Sequence, residues 1–149
     1  EDTLDSFSES VNFAKKHNFY ITAFNHLTPF PGTPLYKRLE EKNRLLYNRW
    51  WLDDNYSYNK IPFQPQNMSP EQLEKGCVKA RADFYTWRSI WERGLDKVNK
   101  KDFSMWMQYY FINYGIRKEI YSRDHLPLGD NNWVGEIIKV RNSPVEFVK

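Results

Sequence analysis

The feature that most constrains this fold is segment 28–36, TPFPGTPLY, which separates an apolar run from a charged one. Its three prolines fix their φ angles and remove three backbone donors, so no helix or strand can run through it. Gly32 can adopt a positive φ, as in a type II turn. Thr33 can cap a helix that begins at Pro34. The pattern predicts a rigid loop with regular structure on both sides.

The residues that flank this loop predict a helix, a strand and a second helix. Residues 19–27, FYITAFNHL, are rich in aromatic and β-branched side chains, which favours a buried strand. Apolar residues at spacings of three and four predict a helix over residues 4–17. A short charged helix is expected to end near Asn43. This order is typical of a parallel α/β unit, so we expect a fold of the α+β class that is mainly helical.

The second part of the chain, residues 48–149, is predicted to be a helical extension. The capping box SPEQ and an apolar face predict one long helix over residues 69–98. A second helix, over residues 102–121, is expected to pair with it in antiparallel orientation. Residues 133–141, WVGEIIKVR, form a candidate strand. The basic faces of the two long helices are interpreted as solvent-exposed.

Composition excludes several classes of function. The chain of 149 residues carries 22 Lys and Arg against 19 Asp and Glu, and a net charge of +3 is too small to indicate nucleic-acid binding. The mean hydropathy is −0.81 and no apolar run reaches about 18 residues, so no membrane span is expected. Aromatic residues make up 17% of the chain, which is typical of a ring-rich core or interface.

The single cysteine, Cys77, excludes an intramolecular disulfide and a multi-cysteine metal or iron–sulfur site within this chain. It fits a cytoplasmic location, and its place on an apolar helix face predicts a buried thiol. No histidine has metal-ligand spacing. His26 lies beside Asn25 and Thr28, where a hydrogen-bonded structural role is favoured over a catalytic one. We therefore predict no catalytic and no metal-binding residue.

One passage, HLTPFPGTPLYKRLEEKNRLL, resembles the segment after the sixth strand of the radical S-adenosylmethionine barrel. It is most similar to the proteins that also carry a cobalamin-binding-type domain, in which the phrase T-P-x-P-G-T-P-L-Y-x-x-L-x-x-x-x-R is common. That phrase spans residues 28–44 here, and the WWLD and FYTWRSI segments extend the similarity to about Asp130. The resemblance implies that residues 1–47 are the last α-β-α portion of a partial (β/α) barrel.

The resemblance also implies a parent enzyme that holds a [4Fe–4S] cluster on a C-x-x-x-C-x-x-C loop and cleaves S-adenosylmethionine reductively. It leaves the substrate, and the use of cobalamin, open. This chain has no such loop, so the resemblance implies a C-terminal fragment that binds no cofactor alone and is inactive alone. The parent chain's remainder is then its expected partner, with homodimerisation through unpaired strand edges as a second possibility.

The family resemblance assigns candidate positions for ligand contact. The positions that match the S-adenosylmethionine site are Ala23, Asn25, Leu27, Thr28 and Pro29, of which Asn25, Thr28 and Pro29 are taken as cofactor-binding. In the extension, three rings are expected to form a substrate-facing wall: Trp50, Trp51 and Tyr56. The alternative is a free-standing helical module for protein interaction or self-association.

Overall fold

The structure, a computed structural model, describes residues 3–47, 49–123, 126 and 128. The candidate strand at residues 133–141 lies outside these residues. In chain order the elements are α1 (Asp5–Lys16), α2 (Pro34–Glu41), a 3-10 helix (Trp50–Leu52), α3 (Pro70–Phe84), α4 (Trp87–Gly94) and α5 (Phe103–Glu119). Within the described ranges, no helix is long and apolar enough to cross a membrane.

The predicted α+β fold with an α-β-α barrel portion is wrong, because the described residues form five α-helices and no strand. Residues 19–27 do run between α1 and α2 without forming a helix, and their exposure alternates from residue to residue. That alternation indicates an extended backbone. A strand also needs a neighbouring strand, and none lies beside this segment in the described part of the chain. We call residues 19–27 the extended segment.

The local signals around the first loop are confirmed. Gly32 has a φ of 81°, the region that glycine adopts without strain. The hydroxyl of Thr33 accepts a hydrogen bond from the backbone N–H of Tyr36 at 3.3 Å, and Pro34 is the first residue of α2. In the same way, Ser69 and Gln72 form the expected capping box of α3.

The prediction of one long helix over residues 69–98 is wrong, because α3 ends at Phe84 and a separate helix, α4, begins at Trp87. Thr86 leaves the helical conformation, and its hydroxyl accepts a hydrogen bond from the backbone N–H of Ser89, which starts α4. The antiparallel pair therefore consists of α4 and α5, while α3 packs on α1.

The core lies where α1, α3, α4 and α5 meet the extended segment. Its buried residues are Val11, Ala14, Ala80, Phe84, Tyr85, Ile90, Tyr109 and Ile120. Two ring pairs, Trp87 with Tyr114 and Trp91 with Tyr110, show that α4 and α5 pack in antiparallel orientation. The extended segment thus lies against a helical base rather than in a sheet.

Candidate functional site

Side chains, not strands, hold the backbone of the extended segment. The hydroxyl of Tyr85 donates to the carbonyl of Thr22 at 2.9 Å and accepts from its N–H at 3.1 Å. The side-chain amide of Asn113 donates to the carbonyl of Tyr20 at 3.1 Å. These contacts satisfy one side of the segment, as a neighbouring strand would.

Arg93, at the end of α4, supplies the strongest of these contacts. Its side chain is only 1% exposed, and one Nη1–H donates to the carbonyl of Phe19 at 2.7 Å. The guanidinium lies 3.7 Å from the centroid of the Phe84 ring and donates to Asn113 at 3.2 Å. Burial lowers the pKa of Arg93, while the carbonyl and amide acceptors stabilise its charge without a carboxylate. The prediction that basic residues of this region are solvent-exposed is therefore wrong here.

The opposite edge of the extended segment is open. The backbone groups of Ile21, Ala23, Asn25 and Leu27 form no hydrogen bond with any residue that the structure describes. The side chains of the same four residues are exposed, whereas those of the residues between them are half-buried. Helix side chains therefore bond one edge of the segment at Tyr20 and Thr22, while the other edge has no hydrogen-bond partner at these four residues within the described part of the chain.

A cleft of about 1000 Å³ adjoins this segment, between α1, α2 and the first turns of α3. The cleft lining is mainly apolar and includes Phe7, Phe24, Leu39 and Leu73. The polar and titratable residues of the lining include Asn25, His26, Arg44 and Cys77. The lining also includes the carboxylate of Glu9. A cleft of this size, apolar over most of its surface, is typical of a small-molecule site.

Two titratable groups of the cleft, His26 and Cys77, have pKa values shifted in the direction that favours their neutral forms. Burial, and then the charge of Arg81, lower the pKa of His26. Burial raises the pKa of Cys77, against the opposing effects of Arg81 and the backbone N–H of His26. Cys77 is therefore a buried thiol, as predicted, and it is not an activated nucleophile.

The three residues predicted to contact S-adenosylmethionine lie in different environments. Asn25 is exposed and lines the cleft. Thr28 is half-buried, and Pro29 is fully buried. The carbonyl of Pro29 accepts a hydrogen bond from the indole N–H of Trp50 at 2.9 Å. Only Asn25 of the three belongs to the cleft lining.

The three rings predicted to face the substrate form one cluster beside the loop. The centroids of Trp50 and Tyr56 are 5.1 Å apart, and both rings are buried. Burial raises the pKa of Tyr56 to about 12. Trp51 is half-buried and packs against Trp50 and Tyr36. None of the three belongs to the cleft lining, and their substrate contact stays a prediction.

The residues present do not fit an iron–sulfur cluster. Such a cluster needs several thiolates, and the chain contains one cysteine. Among the described residues, no group of three or more His, Cys, Asp or Glu could hold a metal ion. No step of a cluster reaction can therefore be assigned to this chain.

Sequence reasoning missed two cationic residues at or near the cleft, Arg44 and Arg81. Arg44 lines it and donates to the carbonyl of Gln64 at 2.8 Å. Arg81 lies one helical turn after Cys77, and this i, i+4 spacing was the signal that could have placed it next to the cleft. What the spacing could not show is that α1 and the extended segment cover this turn.

Comparison with known proteins identifies two relatives, both from Chlorobaculum tepidum. Bacteriochlorophyllide d C-12(1)-methyltransferase is 30% identical over 118 residues, or 79% of this chain and 24% of that protein. Bacteriochlorophyllide d C-8(2)-methyltransferase is 27% identical over 99 residues, or 66% of this chain and 21% of that protein. The matched region thus spans less than a quarter of either relative.

No family model matches the sequence, and no solved structure matches the chain. The chain is therefore a distant relative of methyltransferases, similar to a limited part of each.

Proposed function

We propose that this chain is the C-terminal part of a radical S-adenosylmethionine methyltransferase and borders its ligand site. The observation that carries the proposal is the pair of matches to methyltransferases, which cover most of this chain and at most 24% of either relative. The phrase TPFPGTPLY at residues 28–36 supports the radical type. The cluster-binding cysteines come from the remainder of the parent chain.

The proposed partner is that remainder, and it covers the open edge of the extended segment. Backbone groups that become buried need hydrogen-bond partners, so a covering chain must bond the groups at Ile21, Ala23, Asn25 and Leu27. Tyr85 and Asn113 already bond the other edge at Thr22 and Tyr20. The covering chain therefore approaches from one direction only.

S-adenosylmethionine is the proposed cofactor, with the [4Fe–4S] cluster held by the remainder and cobalamin as a further group of the parent. Asn25 is the residue of this chain best placed to contact S-adenosylmethionine, because its amide is exposed at the cleft and can donate and accept. Thr28 supplies a second contact, through its hydroxyl. Pro29 contributes shape, since Trp50 already occupies its carbonyl.

The proposed reaction is methyl transfer to a carbon of a large ring-shaped substrate. Both relatives are named for methylation of bacteriochlorophyllide d, at two different carbons. Trp50, Trp51 and Tyr56 would form one wall for such a substrate, since large aromatic surfaces bind planar rings well.

The test compares the full-length parent gene product with this 149-residue chain after anaerobic reconstitution with iron and sulfide. We expect the full-length protein to convert S-adenosylmethionine to 5′-deoxyadenosine under a low-potential reductant, and the isolated chain to form none. In the full-length protein, Asn25→Ala should raise the KM for S-adenosylmethionine and leave the cluster content unchanged. Asn55→Ala, an exposed asparagine outside the cleft, is the matched control.

Cleavage of S-adenosylmethionine by the isolated chain would contradict the fragment proposal. A full-length protein that binds no cluster and cleaves no S-adenosylmethionine would contradict the radical assignment.

Exposed rings favour a second candidate, a free-standing module for self-association. Trp87 and Trp91 on α4 are 56% and 57% exposed, and Phe103 and Phe111 on α5 are 75% and 69% exposed. Apolar surface of this kind often marks an interface. An initiator codon just upstream of residue 1, together with a dimer in light scattering, would favour the module. A reading frame that continues upstream into a C-x-x-x-C-x-x-C motif favours the methyltransferase.

A further inference from the structure

The outer side of the helix pair α4 and α5 is apolar and exposed. Exposed apolar side chains recur at spacings of three and four on both helices, which places them on one side of each helix. Ring pairs join the two sides, because Trp87 stacks on Tyr114 and Trp91 packs against Tyr110, each at a centroid distance of 5.8 Å. We call this surface the α4–α5 face, and its exposed members are Trp87, Trp91, Leu95, Met107, Phe111 and Tyr114.

The turn between α4 and α5 extends this face with two further apolar side chains. Val98 is 69% exposed and Phe103 is 75% exposed. The turn itself is held in place by Asn99, whose fully buried amide donates to the carbonyls of Asn18 and Arg93 at 2.8 and 2.9 Å. The turn is therefore a fixed structure that presents apolar groups to its surroundings, and exposed apolar surface of this kind marks an interaction site.

The charges beside this face are mainly basic. Residues 87–123 contain eight Lys and Arg against four Asp and Glu, whereas the net charge of the whole chain is only +3. Lys97, Lys100 and Lys101 lie in the turn and are exposed. None of the ion pairs found among the described residues involves these three lysines.

The four carboxylates of the same region are bonded locally. Asp96 and Asp102 each accept a backbone N–H of the turn or of the start of α5, at 2.9 and 2.8 Å. Glu92 and Glu119 each pair with an arginine one helical turn away along the chain. The three lysines of the turn are therefore left to an anion outside the described part of the chain.

Exposed rings beside lysines determine the kind of partner. Aromatic and basic side chains together are the composition with which surface helices bind the boundary between water and lipid acyl chains. A second copy of the chain would bring the same lysines close to one another, and like charges repel. An anionic lipid surface supplies an apolar layer for the rings and phosphates for the lysines.

We propose that the α4–α5 face and its turn bind the surface of an anionic lipid membrane. Val98 and Phe103 enter the boundary between headgroups and acyl chains, and Lys97, Lys100 and Lys101 contact the lipid phosphates. No residue of this surface lines the cleft, so membrane binding is measured independently of the proposed methyl transfer.

The test measures the sedimentation of the 149-residue chain with two kinds of vesicle, one of phosphatidylcholine alone and one of phosphatidylcholine and phosphatidylserine in equal parts. We expect binding to the anionic vesicles to be at least about tenfold tighter, because each lysine near an anionic surface adds attraction. The combined variant Lys97→Gln, Lys100→Gln and Lys101→Gln should lose this preference.

A matched control removes the same charge elsewhere. The combined variant Lys16→Gln, Lys42→Gln and Lys75→Gln replaces three exposed lysines outside α4 and α5, and it should retain the preference. Val98→Ser together with Phe103→Ser should weaken binding to the anionic vesicles by at least about tenfold, because two apolar side chains no longer enter the lipid.

Equal binding to the two kinds of vesicle, or binding to neither, would overturn the proposal. An equal loss in the control variant would overturn it as well, since net charge alone would then explain the binding. A dimer in light scattering that Val98→Ser with Phe103→Ser abolishes would assign the face to a second copy. A full-length parent that fails to bind vesicles bound by the 149-residue chain would assign it to an interface within the parent.

A spin label decides the matter if the combined variants do not fold. A nitroxide attached at Val98→Cys should become shielded from a water-soluble relaxation reagent when anionic vesicles are added. A nitroxide at Asn55→Cys, an exposed position outside α4 and α5, should stay accessible, and the buried Cys77 does not compete for the label. Unchanged accessibility at position 98 refutes the site.

Discussion

Arg93 determines how the extended segment lies on the helices. It is a buried cation whose acceptors are carbonyl and amide oxygens, among them the carbonyls of Phe19, Tyr20 and Phe84. Each of these oxygens would lose a donor if the guanidinium were removed. Since buried acceptors without donors are costly, the residue acts as a structural clamp rather than as a catalytic group.

Arg93→Met should therefore lower the free energy of unfolding by about 2–4 kcal/mol, because buried carbonyls are left unsatisfied while the volume is retained. Urea unfolding of the 149-residue chain measures this as a lower midpoint. Arg88→Met is the control, since its partner Glu92 is exposed and such pairs contribute little. Equal midpoints for Arg93→Met and the unmodified chain would contradict the clamp.

His26 should make the free energy of unfolding fall as the pH falls, because its pKa is lower in the folded chain. Because burial and Arg81 lower the pKa of His26, the unfolded chain binds more protons than the folded chain as pH falls below about 7. The contribution of neutral His26 to stability is therefore fully present above the pKa of His26 in the unfolded chain. It is lost as the pH falls toward and through the lower pKa of His26 in the folded chain. His26→Gln should make the free energy of unfolding depend less steeply on pH in this range.

Urea midpoints at a series of pH values test this prediction. His17→Gln, which removes an exposed histidine after α1, controls for the loss of a histidine as such. Identical pH slopes for His26→Gln and the unmodified chain would show that the imidazole does not titrate on unfolding in this range.

At the scale of elements, two helical glycines differ in what surrounds them, so one tests helix packing and the other tests helix propensity. A Cβ on Gly94 would meet the hydroxyl of Tyr110 at 2.5 Å and the ring of Tyr109 at 2.7 Å, where α4 crosses α5. A Cβ on Gly115, in α5, would meet nothing within 4 Å. The first glycine is required for close packing, and the second is not.

Gly94→Ala should lower the free energy of unfolding by about 1–3 kcal/mol through overpacking. Gly115→Ala should raise it by about 0.5–1 kcal/mol, because alanine is the better helix former. Thermal unfolding of both variants, compared with the unmodified chain, shows whether each substitution lowers or raises the stability. Stabilisation by both substitutions would mean that α4 and α5 are not in close contact.

The aromatic cluster allows a test of the proposed methyl transfer in the full-length parent protein. Trp51→Ala should lower methyl-transfer turnover more than cluster content, because Trp51 is half-buried and can face a ligand. Trp50→Ala should lower both, because a buried ring and its bond to Pro29 are lost. The measurement is the turnover and the iron content of each variant. Equal losses of turnover and iron content in Trp51→Ala would mean that the Trp51 ring serves folding and not substrate binding.

The starts of α2, α3 and α5 were predictable from sequence, whereas the end of α3 and the start of α4 were not. The caps at Thr33, Ser69 and Asp102 depend on bonds three residues away, so the local sequence contains all the information needed. At Tyr85 the apolar spacing continues without interruption. The helix nevertheless ends there: Thr86 caps α4, and the hydroxyl of Tyr85 bonds to Thr22, 63 residues earlier in the chain.

At the scale of the whole molecule, the extended segment explains both what could be predicted and what could not. Its aromatic and β-branched residues predicted a strand, and that prediction is wrong. A strand needs a second strand to bond with, and none lies beside this segment in the described part of the chain. The cleft also depends on packing between distant segments: Asn25 and Arg44 both line it, although they lie in different parts of the chain. The contact of Asn25 with S-adenosylmethionine stays a prediction.

We propose that this chain completes a larger protein through the open edge of its extended segment. Amide hydrogen exchange at Ile21, Ala23, Asn25 and Leu27 tests it most directly, with Thr22, already bonded to Tyr85, as the internal reference. We expect these four amides to exchange rapidly in the isolated chain and to be protected in the full-length parent. Rapid exchange at all four in the full-length protein would contradict the account.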